Sequence, residues 1–106
     1  MIYNATLVRL DPPPPGLPGP DVSVRCALAQ LSAAQQALSE EAGWGATSIA
    51  YLFARDVPSP RPIIAGHAMI RGDDQSEPQR FPIVQVIQRL GHTLSHMQVY
   101  LGPAES

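Results

Sequence analysis

"VSVRCALAQLSAAQQALSEEAG", residues 22–43, changes its hydrophobic period partway, and that change decides the fold class. Val22, Val24, Cys26 and Leu28 fall on one face and Ser23, Arg25, Ala27 and Ala29 on the other, the period-two pattern of a strand, expected over Val22–Leu31. At Ser32 the pattern turns helical. Ser32 is a cap residue, Gln35 stands at the capping-box position, Leu31, Ala34 and Leu38 make a narrow stripe, and Gly43 is a stop signal, so one short helix is expected over 33–42.

Outward from this stretch the period returns to two. Ala5–Leu10 reads as a first strand. Thr47–Ala54 alternates Thr47, Ile49, Tyr51 and Phe53 against Ser48, Ala50, Leu52 and Ala54 until "RDVPSPRP", residues 55–62, breaks it. Ile63–Ile70 is a further strand, "RGDDQSEPQR", residues 71–80, a polar loop, and Phe81–Leu90 with Leu94–Leu101 a closing hairpin across Gly91 and His92. The class is mainly β: a small antiparallel β-barrel of five or six strands with one short helix and long projecting loops. At 106 residues a single domain, 1–106, is expected.

"DPPPPGLPGP", residues 11–20, holds six prolines and two glycines in ten positions. Proline has no N–H to give a ladder and fixes φ, so the Pro-rich loop at 11–21 favours polyproline II and reads as a stiff arm around Pro12, Pro13, Pro14, Pro15 and Leu17. A plain exposed loop that tolerates proline, or a ligand for an aromatic-grooved domain, fits the same residues. Trp44, between Gly43 and Gly45, is either an interface anchor or a cover over the barrel's open end. The loop's Arg71, Asp73, Asp74, Glu77 and Arg80 are candidate contact residues, with a solvated turn as the simpler account.

Composition sets the function classes. The net charge of −2 argues against a dedicated DNA-binding surface, and all seven basic residues are Arg. Neither a targeting segment nor an apolar run of membrane-span length is visible, so an intracellular, soluble chain is expected, with no membrane partner. Cys26 is the sole cysteine, which leaves no internal disulfide, and a small core position suits it. His92 and His96 are four apart, which in a strand means ~13 Å, too far to share a metal ion. "RGD" at 71–73 is turn chemistry. Ser32, Ser48 and Cys26 have no base at a recognisable spacing and no glycine-rich elbow, so neither catalysis nor a cofactor is expected.

The order of these features carries a resemblance. "CALAQLSAAQQALSEEAG", an alternating strand, "IIAGHAMIRGD" and then "FPIVQVIQRLGHTLSHMQVYL" together resemble the head-closure proteins of long-tailed bacteriophages, also called stoppers or head-tail joining proteins, over nearly the whole chain. Val84, Val86, His96, Val99 and Leu101 match that family's last hairpin; the proline-rich first loop and His67, where an acidic residue often follows the glycine, depart from it. The resemblance implies a homo-oligomeric ring in the virion neck, at the head-tail interface. The ring would lie beneath portal and adaptor ring proteins and above tail terminator or tail tube proteins, with DNA passing through without specific binding and assembly in the host cytoplasm. Another small phage tail protein, such as a tail terminator, or a β-barrel peptide-binding module is the alternative.

Overall fold

The computed structural model describes residues 2–11, 13, 19, 21–53, 66–89 and 96–105. Pro12, Pro14, Pro15, Leu17, "RDVPSPRP" and the Gly91–His92 turn lie outside the described residues.

Within the described residues each alternating stretch holds a strand: β1 (Ala5–Asp11), β2 (Asp21–Gln30), then α1 (Ala33–Glu41), β3 (Ser48–Phe53), β4 (His67–Gly72), β5 (Gln79–Arg89) and β6 (His96–Leu101); Ala54, residues 63–65, Leu90, Leu94 and Ser95 of the expected strands lie outside them. Neighbours are antiparallel in the order β1-β2-β3-β6-β5-β4, and β4 pairs back onto β1, so the six strands close into a barrel. The two longest strands, β2 of 10 residues and β5 of 11, make the closure by changing partners along their length. Cys26 in β2 faces Ala5 of β1, while Ala27 already faces Tyr51 of β3. Likewise β5 pairs with β4 as far as Pro82 and with β6 from Ile83.

Two bulges set the curvature. Val8 is an extra residue between Leu7 and Arg9, which face Ile70 and Met69 of β4; Val84 is extra between Ile83 and Gln85, which face Leu101 and Tyr100 of β6. A bulge sharpens twist and reverses which parity points inward. That is why Leu7 and Leu10, three apart, both enter the barrel, and why Ile83 and Val86 both pack on its interior while Val84 packs outside.

The interior holds Leu7, Leu10, Val24, Cys26, Leu52, Ile70, Met97 and Leu101 among others, each nearly inaccessible to water. A smaller outer cluster, Leu31, Ala46 and Ile49 with Tyr51, Val84 and Tyr100, lies beneath the chain that carries α1. β3 therefore buries both faces, Ala50 and Leu52 inward and Ile49 outward.

Some expectations need correction. Of the stripe Leu31, Ala34 and Leu38, only Leu31 is buried; Ala34 is exposed and Leu38 is 66% exposed. The helix instead buries Ser39, whose Oγ accepts the Ala46 N–H at 2.8 Å, so a polar bond docks it where an apolar stripe was expected. The polar loop is also shorter than residues 71–80. Arg71 and Gly72 pair with Thr6 and Ala5, and Gln79 and Arg80 with Ile70 and Met69, which leaves a turn of residues 73–78.

Antiparallel order gives the barrel two unlike ends. β1–β2, β3–β4 and β5–β6 are joined through residues 12–20, 54–66 and 90–95 at one end, which carry nine of the chain's twelve prolines. The other end bears α1, the turn 73–78 and residues 2–4, while residues 102–105 run from it along β5 until Glu105 meets His67 at the start of β4.

Candidate functional site

The helix end is built by local chemistry. Ser32 Oγ accepts the Gln35 N–H at 3.2 Å and Gln35 Oε1 accepts the Ser32 N–H at 2.9 Å, the reciprocal box that starts α1. The helix stops at Gly43, φ 81°, and Gly45, φ 64°, left-handed conformations in which a β-carbon would be strained. Trp44 lies between them, its N–H donating to the Ser39 carbonyl at 2.9 Å. Its indole lies 5.3 Å from the Tyr100 ring, tilted 49°. Gln35, Leu38, Ser39, Ala42, Trp44 and Tyr100 line a half-open groove of about 320 Å³ with no charged side chain. Trp44 thus packs on the outer wall and also presents an apolar surface.

A second hollow, about 450 Å³, lies at the barrel mouth between Leu28, Gln30, Ser48, Gln79, Phe81 and Ala104. Ser48 is 6% exposed, and its Oγ is the one buried side-chain polar atom without a partner among the described residues.

The charged turn folds against the barrel. Arg25 Nη1 and Nη2 donate to Asp73 Oδ1 and Oδ2 at 2.6 and 2.7 Å, and Nη1 also donates to Thr6 Oγ1 at 2.8 Å. This fork holds the Asp73 carboxyl below its ordinary pKa. The Asp73 N–H bonds the Asn4 carbonyl at 2.9 Å, and Gln75 Oε1 accepts the Gly72 N–H at 3.1 Å. Asp74 and Glu77 are exposed, and Arg71 reaches the Gln75 carbonyl only at 3.4 Å. Arg80 bridges Asp11 at 3.1 Å and Glu105 at 3.3 Å, with His67 3.2 Å from Glu105.

Of the residues singled out in the sequence, Trp44, Arg71, Asp73, Asp74 and Glu77 come to the helix end, Arg80 is tied along the wall to Asp11 at the far end of β1, and Pro13 is exposed. Trp44 and the proline tract therefore belong to opposite ends. Sequence reasoning missed Leu38 and Tyr100 as groove walls, and Arg25 and Glu105 as partners of the turn. Leu38 had a signal, an apolar residue on a nine-residue helix with almost no apolar face. The Arg25–Asp73 pair had none, because 48 positions separate its members.

Cys26 is fully buried, and burial pushes its thiol up to about 11. Among the described residues no three His, Cys, Asp or Glu side chains gather as a metal site, and no helix is long and apolar enough to cross a membrane. Comparison with protein-family models, curated proteins and solved structures found no match.

Proposed function

We propose that this chain is a neck protein of a long-tailed phage, a ring component beneath portal and adaptor that closes the DNA-filled head and offers the tail its attachment surface. The observation that carries the reading is the polarity of the barrel. A closed barrel offers no free strand edge for lateral addition, so contacts must be made by its ends and outer wall. Here the two ends differ in chemistry, which suits a subunit that meets one ring above, another below and its own copies at the sides. The sequence resemblance over the strand-helix-strand order supplies the setting. In that setting the exposed Asp74 and Glu77 would discourage the phosphate contacts that give nonspecific DNA binding its affinity, and the duplex would pass without being gripped.

A peptide-binding barrel is the second reading, and the uncharged groove beside Trp44 favours it. The test is attachment to filled heads. With Pro12–Pro20 replaced by a short Gly-Ser loop, the neck reading expects a folded protein that no longer joins heads bearing the adaptor. Normal joining by this variant would remove the arm from the interface. Failure of the unaltered protein to bind such heads would overturn the neck reading itself.

A further inference from the structure

We infer that the groove formed by Leu38, Trp44 and Tyr100 is the docking site for the proline-rich segment 12–20 of a second copy of this chain. The chemistry of the two parts matches. Polyproline segments bind shallow, aromatic-lined grooves because their stiffness leaves little entropy to lose and the rings receive the pyrrolidine faces. This groove has two aromatic rings 5.3 Å apart and a leucine that is 66% exposed. Neither the groove lining nor segment 12–20 contains a charged residue, so docking strands no ion away from water.

Geometry excludes the chain's own segment. Its anchors, Asp11 and Asp21, stand together at the proline-rich end, where Arg9 faces Asp21. Nine residues tethered at both anchors can project by about half their length, roughly 14 Å at ~3.1 Å per residue. The groove lies at the far end of the wall, where Tyr100 faces Ile49 and the next pair is Leu101 with Ser48. β2 spans this height in its ten residues, about 30 Å at ~3.3 Å each. A segment that leaves one end and fits a groove at the other joins copies head to tail, the heterologous contact that builds rings or filaments. The inference stands on the groove and the segment and does not require the neck reading, so the test uses no phage particle.

Trp44 is the chain's only tryptophan, so its fluorescence reads the groove directly. The full-length protein, at low micromolar concentration where its own arms rarely meet a second copy, is titrated with the synthetic peptide of residues 11–21. The expected result is a saturable Trp44 emission shift with a dissociation constant of roughly 10–1000 μM, the weak range suited to a contact multiplied by assembly. The exposed substitution Leu38→Glu, which retains the reporter, is expected to weaken binding at least tenfold. A peptide with every proline changed to alanine is expected to weaken it similarly. No saturable shift up to several millimolar peptide, equal binding of the proline-free peptide, or indifference to Leu38→Glu would each overturn the inference. A failed titration alongside normal head attachment would overturn it alone and leave the neck reading standing.

Discussion

At the helix end, polar groups are tied in short reciprocal pairs. Asn4 Nδ2 donates to the Leu28 carbonyl at 2.9 Å while its Oδ1 accepts the Leu28 N–H at 2.8 Å, Ser32 and Gln35 exchange bonds, and Ser39 holds Ala46. Residues 102–105 extend the pairing of β6 down β5, with the Gly102 N–H on the Pro82 carbonyl at 2.9 Å and the Glu105 N–H on the Arg80 carbonyl at 2.7 Å. At the opposite end, six prolines in residues 12–20 alone remove the N–H groups such bonding needs. Local polar chemistry specifies the helix end, whereas six positions of the proline tract lack the donor that such pairs use. Substitutions at the two ends should therefore separate stability from association.

The largest loss is expected at Gly102. A β-carbon there would come within 2.8 Å of Pro82 Cγ, on a ring with little freedom to move, and the position is buried. Gly102→Val should cost near the top of the roughly 1–3 kcal/mol of overpacking, at about 4–8 °C of Tm per kcal/mol for a domain of this size. Calorimetry checks it. An unchanged Tm would mean that residues 102–105 are not part of the closure.

Ser39→Ala comes next. It leaves the buried Ala46 N–H without the acceptor that now lies at 2.8 Å, and orphaning a buried donor costs roughly 1–3 kcal/mol. The helix spectrum should persist while Tm falls. A loss equal to that of an exposed substitution such as Ser32→Thr would show that α1 is docked by something else.

Against these, replacing Pro12–Pro20 by a Gly-Ser loop should move stability by less than about 1 kcal/mol, because closure entropy changes slowly with loop length. A loss as large as that of Gly102→Val would erase the contrast between the ends and make the proline tract part of the fold.

The same contrast explains what could be read from the chain beforehand. Six alternating stretches and one capped helix were legible because their signals are local: Ser32 and Gln35 are three apart, and a strand repeats every two residues. The bulges at Val8 and Val84 were not, since one inserted residue looks like imperfect alternation, although the three-residue spacing of Leu7 and Leu10 marks the first in retrospect. The docking of α1 was misread because a buried serine gives no hydrophobic signal. Trp44 was legible as a surface aromatic, but its groove depends on Tyr100, which only barrel closure brings beside it. The Arg25–Asp73 fork likewise exists only once β2 and the β4–β5 turn meet.

That fork offers the smallest effect and the finest test of how the helix end is tied. Both side chains are close to half exposed, 43% and 48%, so water and salt screen the pair and its contribution to stability is modest. Its sign is nevertheless fixed. Arg25 lowers the Asp73 pKa in the folded chain, so between the folded and unfolded values the unfolded state binds more protons and stability rises with pH. The contribution is present above the unfolded value near 4 and is lost as pH falls through the lower folded value. Asp73→Asn keeps an oxygen for Arg25 but removes the charge. The variant should melt slightly below the parent at pH 7, the gap should narrow below about pH 4 and close where Asp73 is protonated in both the folded and the unfolded chain, and high salt should shrink it at neutral pH. A gap that stays constant from pH 7 to pH 2, or widens in acid, would show that Asp73 acts through the shape of the turn, by its N–H on Asn4, and not through its charge.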